Sequence, residues 1–181
     1  MIFLLLGCLG FAPMYLYDRL KIRGQNRSWL FVLGCLCVFA GSAGSFFSGA
    51  ARFELHAALK VLFGLLALAN AVLMVWSLFF SLPKETYGGE TSAIVDTGFY
   101  ALCRHPGVLF FGGMHLFLWP VSGHDTMLLG ALLFTLCDVL YVCVQDKKYF
   151  PLLMPGYEDY RKRVPFLVPT GGSVDRCIKT L

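Results

Sequence analysis

The chain has 181 residues, 57% of them hydrophobic and only 14% charged, with a mean hydropathy of +0.69. Its charges stand in short intervals between long apolar runs, which excludes a disordered chain and points to lipid rather than water as the solvent. The net charge of +4 calls for no nucleic acid, because basic residues facing anionic headgroups account for it.

Five apolar runs predict membrane helices, at residues 2–17, 29–47, 57–82, 108–121 and 127–144. A hydrocarbon core of about 30 Å needs about 20 helical residues. The second and third runs reach that length, and the first and fifth fall slightly short. The first has no basic segment before it and Arg19, Lys21, Arg23 and Arg27 after it. That order suits a retained anchor rather than a cleavable signal. In the second run, Ala40-Gly41-Ser42-Ala43-Gly44-Ser45 offers a small-residue face for close helix approach. The third carries Asn70, whose amide is expected to find a hydrogen bond across to another helix.

A polar interval, Pro83 to Arg104, follows. It starts as an irregular loop, Pro83-Lys84-Glu85-Thr86-Tyr87-Gly88-Gly89. The fourth run lies between His105-Pro106 and Trp119-Pro120 and is the shortest. It is expected to begin within the interface and to turn tightly into the fifth through Ser122-Gly123-His124-Asp125. After Val144 the tail interleaves Tyr149, Phe150, Tyr157, Tyr160 and Phe166 with Lys147, Lys148, Arg161, Lys162 and Arg163, a composition that favours the headgroup region.

Orientation follows from the basic residues. With the N-terminus outside, Arg19, Lys21, Arg23, Arg27, Lys84, Arg104, Lys147, Lys148, Arg161, Lys162, Arg163, Arg176 and Lys179 all lie on the inner side, leaving Arg52 and Lys60. The expected fold class is therefore all-α: a polytopic membrane protein with five transmembrane helices, N-terminus outside and C-terminus cytoplasmic, its last two spans forming a helical hairpin. Residues 1–181 form one integral-membrane domain, with a three-helix scaffold over 1–82 and a loop, hairpin and interfacial tail over 83–181. The hairpin brings the loop before the fourth helix near the tail after the fifth, so an inner-face pocket is expected between them.

Of seven cysteines, Cys8, Cys35, Cys37, Cys137 and Cys143 fall within apolar runs, and Cys103 and Cys177 face the reducing side. None has zinc-site spacing, so free thiols and no metal are expected.

The stretch from Ser92 reads Ile94-Val95, Gly98-Phe99-Tyr100 and Arg104-His105-Pro106, then the hairpin, Gln145-Asp146, Tyr157, Tyr160, Val164-Pro165 and Pro169. This ordered set resembles the isoprenylcysteine carboxyl methyltransferase family and the wider group of membrane phospholipid methyltransferases, over roughly residues 92 to 169. The resemblance implies S-adenosylmethionine as cofactor and a lipophilic or membrane-associated acceptor, a carboxylate or an amine, entering laterally from the bilayer. It implies a cofactor site formed by Ile94, Val95, Tyr100, Arg104, His105, Pro106, Gln145 and Asp146. Arg104 suits the α-carboxylate, a forked donor at a helix start. His105 suits donation to the cofactor, Ile94, Val95 and Tyr100 an adenine wall, and Gln145-Asp146 the cationic amine. The chain departs from the pattern at Ser92, where a histidine is common, at Val108, where a tyrosine is usual, and at Gln145, the first of an acidic pair.

Asp138 lies inside the fifth run, where a carboxylate is expensive and turns toward the bundle or a wet cavity. Helical spacing puts Tyr141, Val142 and Gln145 on its face. One reading makes Asp138 catalytic and Asp138 with Tyr141 the acceptor's headgroup site; the other gives Asp138 a structural hydrogen bond to Asn70 or His115. Simpler roles compete with those the resemblance implies: Arg104 on lipid phosphate, His105 as a helix cap, Tyr157 and Tyr160 as belt aromatics, and Asp146 in a solvated pair with Lys147 or Lys148. Membrane sterol reductases share an Arg-His-Pro, a hairpin and a Tyr-x-x-Tyr tail, which would imply NADPH. A non-catalytic scaffold or lipid binder is the third reading.

Overall fold

The computed structural model describes residues 1–81 and 94–181. Ser92, Lys84 and the loop start at Pro83 lie outside the described residues. The described fold is all-helical, with no strand among these residues and an isolated antiparallel bridge between Ala51 and His124. The helices are α1 (Ile2–Leu9), α2 (Phe11–Ile22), α3 (Ser28–Phe47), α4 (Ala57–Val75), α5 (Phe99–Leu102), α6 (Pro106–Ser122), α7 (Asp125–Val144), α8 (Phe150–Leu153), α9 (Tyr157–Arg163) and α10 (Gly171–Thr180). One-turn π-helices, Trp76–Phe80 and Gln145–Tyr149, extend α4 and α7. Four stretches, Ile2–Ile22, Ser28–Phe47, Ala57–Phe80 and Asp125–Leu153, are long and apolar enough to cross a membrane, and α6 is a shorter apolar helix.

Two boundaries differ from expectation. The first run is two helices meeting at Gly10. Pro13 lies in the first turn of α2; it has no amide hydrogen, and its ring crowds the carbonyl four residues earlier, at Leu9. The last run does not stop at Val144 but continues through the π-turn into α8, so Asp146 stands on a helix end rather than in a loose tail.

The bundle is assembled by small residues. α1 packs on α3, α4 on α6, and α7 against α6, α1 and α3. A Cβ on Gly41 of α3 would lie 2.6 Å from the Cα and N of Gly7 on α1, so the two backbones touch. Phe134 of α7 is fully buried against Gly7. Buried His115 has Nε2 2.8 Å from Ser42 Oγ and Nδ1 2.9 Å from the Phe111 carbonyl. Asn70 donates to Leu66 O at 2.9 Å within its own helix, correcting the expected interhelical bond, because the amide reaches its own preceding turn.

The hairpin turn closes as its residues require. Gly123 is left-handed, at φ 71°, and its amide bonds the Trp119 carbonyl at 2.8 Å. Glycine takes that conformation without the Cβ clash other residues suffer. His124 Nδ1 donates to Phe46 O at 2.7 Å, and Arg52 reaches Asp125 at 3.2 Å. Residues 94–105, the tail and the π-turn after α7 gather at the opposite end of the bundle, called the basic end below.

Candidate functional site

At the basic end, Gly98 (φ 55°) starts the single turn of α5, Cys103 is extended, and Pro106 occupies the first turn of α6. Proline suits a helix start, where its missing amide hydrogen goes unused, and it drives the preceding residue off the helical conformation. His105 is accordingly non-helical at φ −129°, ψ 62°, and Arg104 and His105 project off the end of α6 toward the π-turn after α7.

Asp146 receives them there. Arg104 Nε donates to Oδ1 at 2.8 Å and Nη2 to Oδ2 at 3.2 Å. The Tyr157 hydroxyl donates to Oδ1 at 2.7 Å, His105 Nε2 lies 3.3 Å from the same oxygen, and Arg161 Nε lies 3.5 Å from Oδ2. Arg104 Nη1 donates to the carbonyls of Arg161 at 2.7 Å and Val164 at 2.9 Å. The Arg104 and Asp146 side chains are only 8% and 4% exposed. Such a forked pair is geometrically specific, and loss of either partner leaves a buried charge alone.

Aromatic rings wall the pair. His105 stacks on Phe150 with centroids 5.8 Å apart and meets Phe166 edge-on at 5.1 Å. The Arg104 guanidinium lies 5.6 Å from the Phe166 ring centroid. Behind them Tyr157, Tyr160 and Val164 form a buried cluster packed by Ile94, Phe150 and Met154. Tyr160 donates to Tyr100 O at 2.8 Å, the Arg104 amide donates to Pro165 O at 2.9 Å, and Tyr100 donates to Ser77 O at 3.1 Å. The tail is thereby folded back against the segment leading into α6.

Burial holds His105 below its ordinary pKa, with the hydrogen bond to Asp146 pulling the other way. It is therefore neutral at neutral pH, and the proton on Nε2 faces the carboxylate. Burial, then the bond to Asp146, raises the Tyr157 pKa, and burial raises that of Tyr160, so both hydroxyls stay protonated donors.

The expected residues divide into three groups. Arg104, His105 and Asp146 converge, with Pro106 buried beside them and Ile94 and Tyr100 one layer behind. Val95 instead lines a hollow of about 190 Å³ with Trp76, Ser81, Thr97, Thr180 and Leu181. Gln145, Tyr141 and Asp138 occupy a different face of α7 and its extension. Gln145 Nε2 lies 2.8 Å from Asp18 Oδ2 and 2.9 Å from the Tyr141 hydroxyl. Consecutive helical residues point about 100° apart, so Gln145 and Asp146 part company and do not act as one pair. Asp138 is half-buried and makes no hydrogen bond to a described residue; Asn70 and His115 are bonded elsewhere.

The simpler roles give way at five positions. Arg104 meets a carboxylate and two carbonyls instead of lipid phosphate. His105 precedes α6 without a side-chain capping bond. Tyr157 and Tyr160 are each 3% exposed, not belt residues. Asp146 is paired with Arg104 while Lys147 and Lys148 are exposed. Sequence reasoning missed Asp18, Arg161 and the stacking of Phe150 and Phe166. For Asp18 the signal was present: a lone acid directly after the apolar run ending at Tyr17. Among the described residues, no three His, Cys, Asp or Glu side chains are grouped to hold a metal ion. No protein-family model matches the chain, and neither a curated protein nor a solved structure is similar to it at a significant level.

Proposed function

We propose that this chain is an integral-membrane methyltransferase of the isoprenylcysteine carboxyl methyltransferase and phospholipid methyltransferase type, using S-adenosylmethionine and a lipophilic acceptor. In this reading α6 is a fifth crossing, the N-terminus lies outside, and the basic end faces the cytoplasm, where the cofactor is available.

The observation that carries the proposal is the buried Arg104–Asp146 pair with His105 on the same carboxylate. One guanidinium and one carboxylate are the charge complement of an amino-acid zwitterion. A ligand's α-carboxylate would take the fork of Arg104, and its α-ammonium would take Asp146. Each buried charge then exchanges one partner for another and is never left alone, which is the condition for opening such a pair at modest cost. The cofactor would supply an electrophilic methyl on a cationic sulfur. The chain's own work is to hold that group, exclude water behind Phe150, Phe166 and the Tyr157–Tyr160 cluster, and align the acceptor, effects worth several kcal/mol. Neutral His105 offers an Nε2–H donor, Ile94 and Tyr100 give apolar backing one layer behind the pair, and Val95 gives an apolar edge to the adjoining hollow, which together suit the adenosine. Asp138 and Tyr141, on the face of α7 that continues to Gln145, suit the acceptor's headgroup.

The test is thermal stabilisation of purified protein by adenosylhomocysteine, compared with NADPH, followed by transfer of labelled methyl from S-adenosylmethionine into native lipid, with Arg104→Ala as control. Stabilisation by NADPH alone turns the reading to a reductase. A second reading has support of its own: Arg104 already makes four hydrogen bonds, which suits a structural latch in a non-catalytic scaffold. No stabilisation by either ligand favours the latch.

A further inference from the structure

Helix α10 (Gly171–Thr180) has three faces. At register i, i+4, i+7, Ser173 and Cys177 are buried, and Thr180 Oγ1 accepts the Gly98 amide at 2.8 Å. This face is docked on α5. The adjoining face carries Val174, Ile178 and Leu181, which remain 40%, 69% and 78% exposed. The third face carries the charged Asp175, Arg176 and Lys179. The helix is preformed: Thr170 and Ser173 make a reciprocal capping box at its start, satisfying end amides that otherwise need water.

The exposed apolar face is continuous with a membrane-spanning surface. Leu181 lines the same hollow as Trp76. Trp76 is 54% exposed, stacks on Phe80, and stands at the basic end of the Ala57–Phe80 stretch. Leu181, which continues the apolar stripe just past the end of α10, thus adjoins the end of a helix long and apolar enough to cross a membrane. From Lys147 to Leu181 the chain carries seven basic and three acidic residues, a charge balance that suits an anionic surface.

We infer that α10 is an interfacial anchor lying along the leaflet at the basic end, with Val174, Ile178 and Leu181 at the headgroup–acyl boundary and its basic residues on anionic phospholipid. Amphipathic helices bind in this way by burying an apolar stripe while the charged face stays wet. α10 also holds α5, and α5 leads directly into Arg104, so the leaflet steadies the chain entering the candidate site. The inference rests on the membrane-spanning character of α4 and not on the methyltransferase reading.

The test uses the full chain in phosphatidylcholine vesicles, with and without phosphatidylglycerol. Nitroxides are placed at Ile178→Cys and at Asp175→Cys, and the signal of equally treated unsubstituted protein is subtracted. The Ile178 label is expected to collide with oxygen and escape a water-soluble nickel chelate, and the Asp175 label to do the reverse. Equal nickel access at both sites overturns the anchor. So does shielding of Ile178 from both reagents with spin–spin broadening, which would mean a second copy covers the face. Amide hydrogen exchange over α10 is expected to slow in phosphatidylglycerol, and Lys179→Gln to weaken that protection about fivefold. Equal exchange in the two vesicles overturns the anionic preference.

Discussion

Arg104 and Asp146 are 42 residues apart in the chain yet meet through a two-pronged ion pair, Nε to Oδ1 at 2.8 Å and Nη2 to Oδ2 at 3.2 Å. The pair ties the residue before α6 to the π-turn after α7 and so closes the far end of the hairpin. Because both side chains are buried, removing one leaves the other without compensation. Asp146→Ala and Arg104→Ala are each expected to cost about 3–5 kcal/mol of stability. The double variant should cost less than the two singles added. Chemical denaturation in detergent measures this, and simple additivity would mean the pair is not coupled.

Asp138 has the opposite energetic character. It is half-buried within a membrane-length helix and makes no hydrogen bond to a described residue, so no described partner repays its desolvation. Asp138→Leu is expected to raise stability by about 1–3 kcal/mol, read as a higher Tm. Under the proposed methyltransferase reading, Asp138→Asn leaves adenosylhomocysteine binding intact and slows methyl transfer. If Asp138→Asn abolishes both folding and binding, Asp138 is structural.

His105 makes stability depend on pH. Burial lowers its pKa from the ordinary 6.5, with the Asp146 carboxylate opposing and the Arg104 charge adding to the lowering. Below about pH 6.5 the unfolded chain takes up a proton that the folded chain resists. The stability held by neutral His105 is complete above that pH and is lost as pH falls toward the depressed folded value. Melting curves from about pH 8 to about pH 5 should fall more steeply for the parent protein than for His105→Gln. Parallel profiles would show that His105 is not the titrating group.

Cys103 is fully buried, and burial pushes its thiol pKa up to about 11. The thiolate is the reactive form, so a water-soluble maleimide should leave Cys103 unmodified in the folded protein at neutral pH and label it after denaturation. Peptide mapping reads the result. Rapid labelling under native conditions would mean that the loop–tail junction opens.

Backbone contact between α1 and α3 leaves no room for a side chain. Gly41→Leu is expected to destabilise by about 2 kcal/mol or more, because its Cβ would stand 2.6 Å from Gly7 atoms. The same change at Gly64, which has nothing within 4 Å of a Cβ, should be nearly neutral by thermal melting.

Local chemistry in the sequence was enough for the apolar helices, the hairpin turn at Gly123 and the small-residue contact at Gly41. Run length, left-handed glycine and side-chain volume each act within a few residues or on one helix face. The Arg104-His105-Pro106 triplet and Asp146 were grouped only through the family resemblance, since local chemistry alone pairs Asp146 with Lys147 or Lys148. Their partners were not legible: the aromatic walls of Phe150 and Phe166, the Tyr157 donor and the Arg161 and Val164 carbonyls come from the folded tail, whose path composition does not encode. Tertiary structure separated Gln145 from Asp146, because the helix continues past Val144 as a π-turn and neighbouring side chains on a helix point in different directions. It also left Asp138 without a bond to a described residue, since the Asn70 amide and the His115 ring are held by nearer groups.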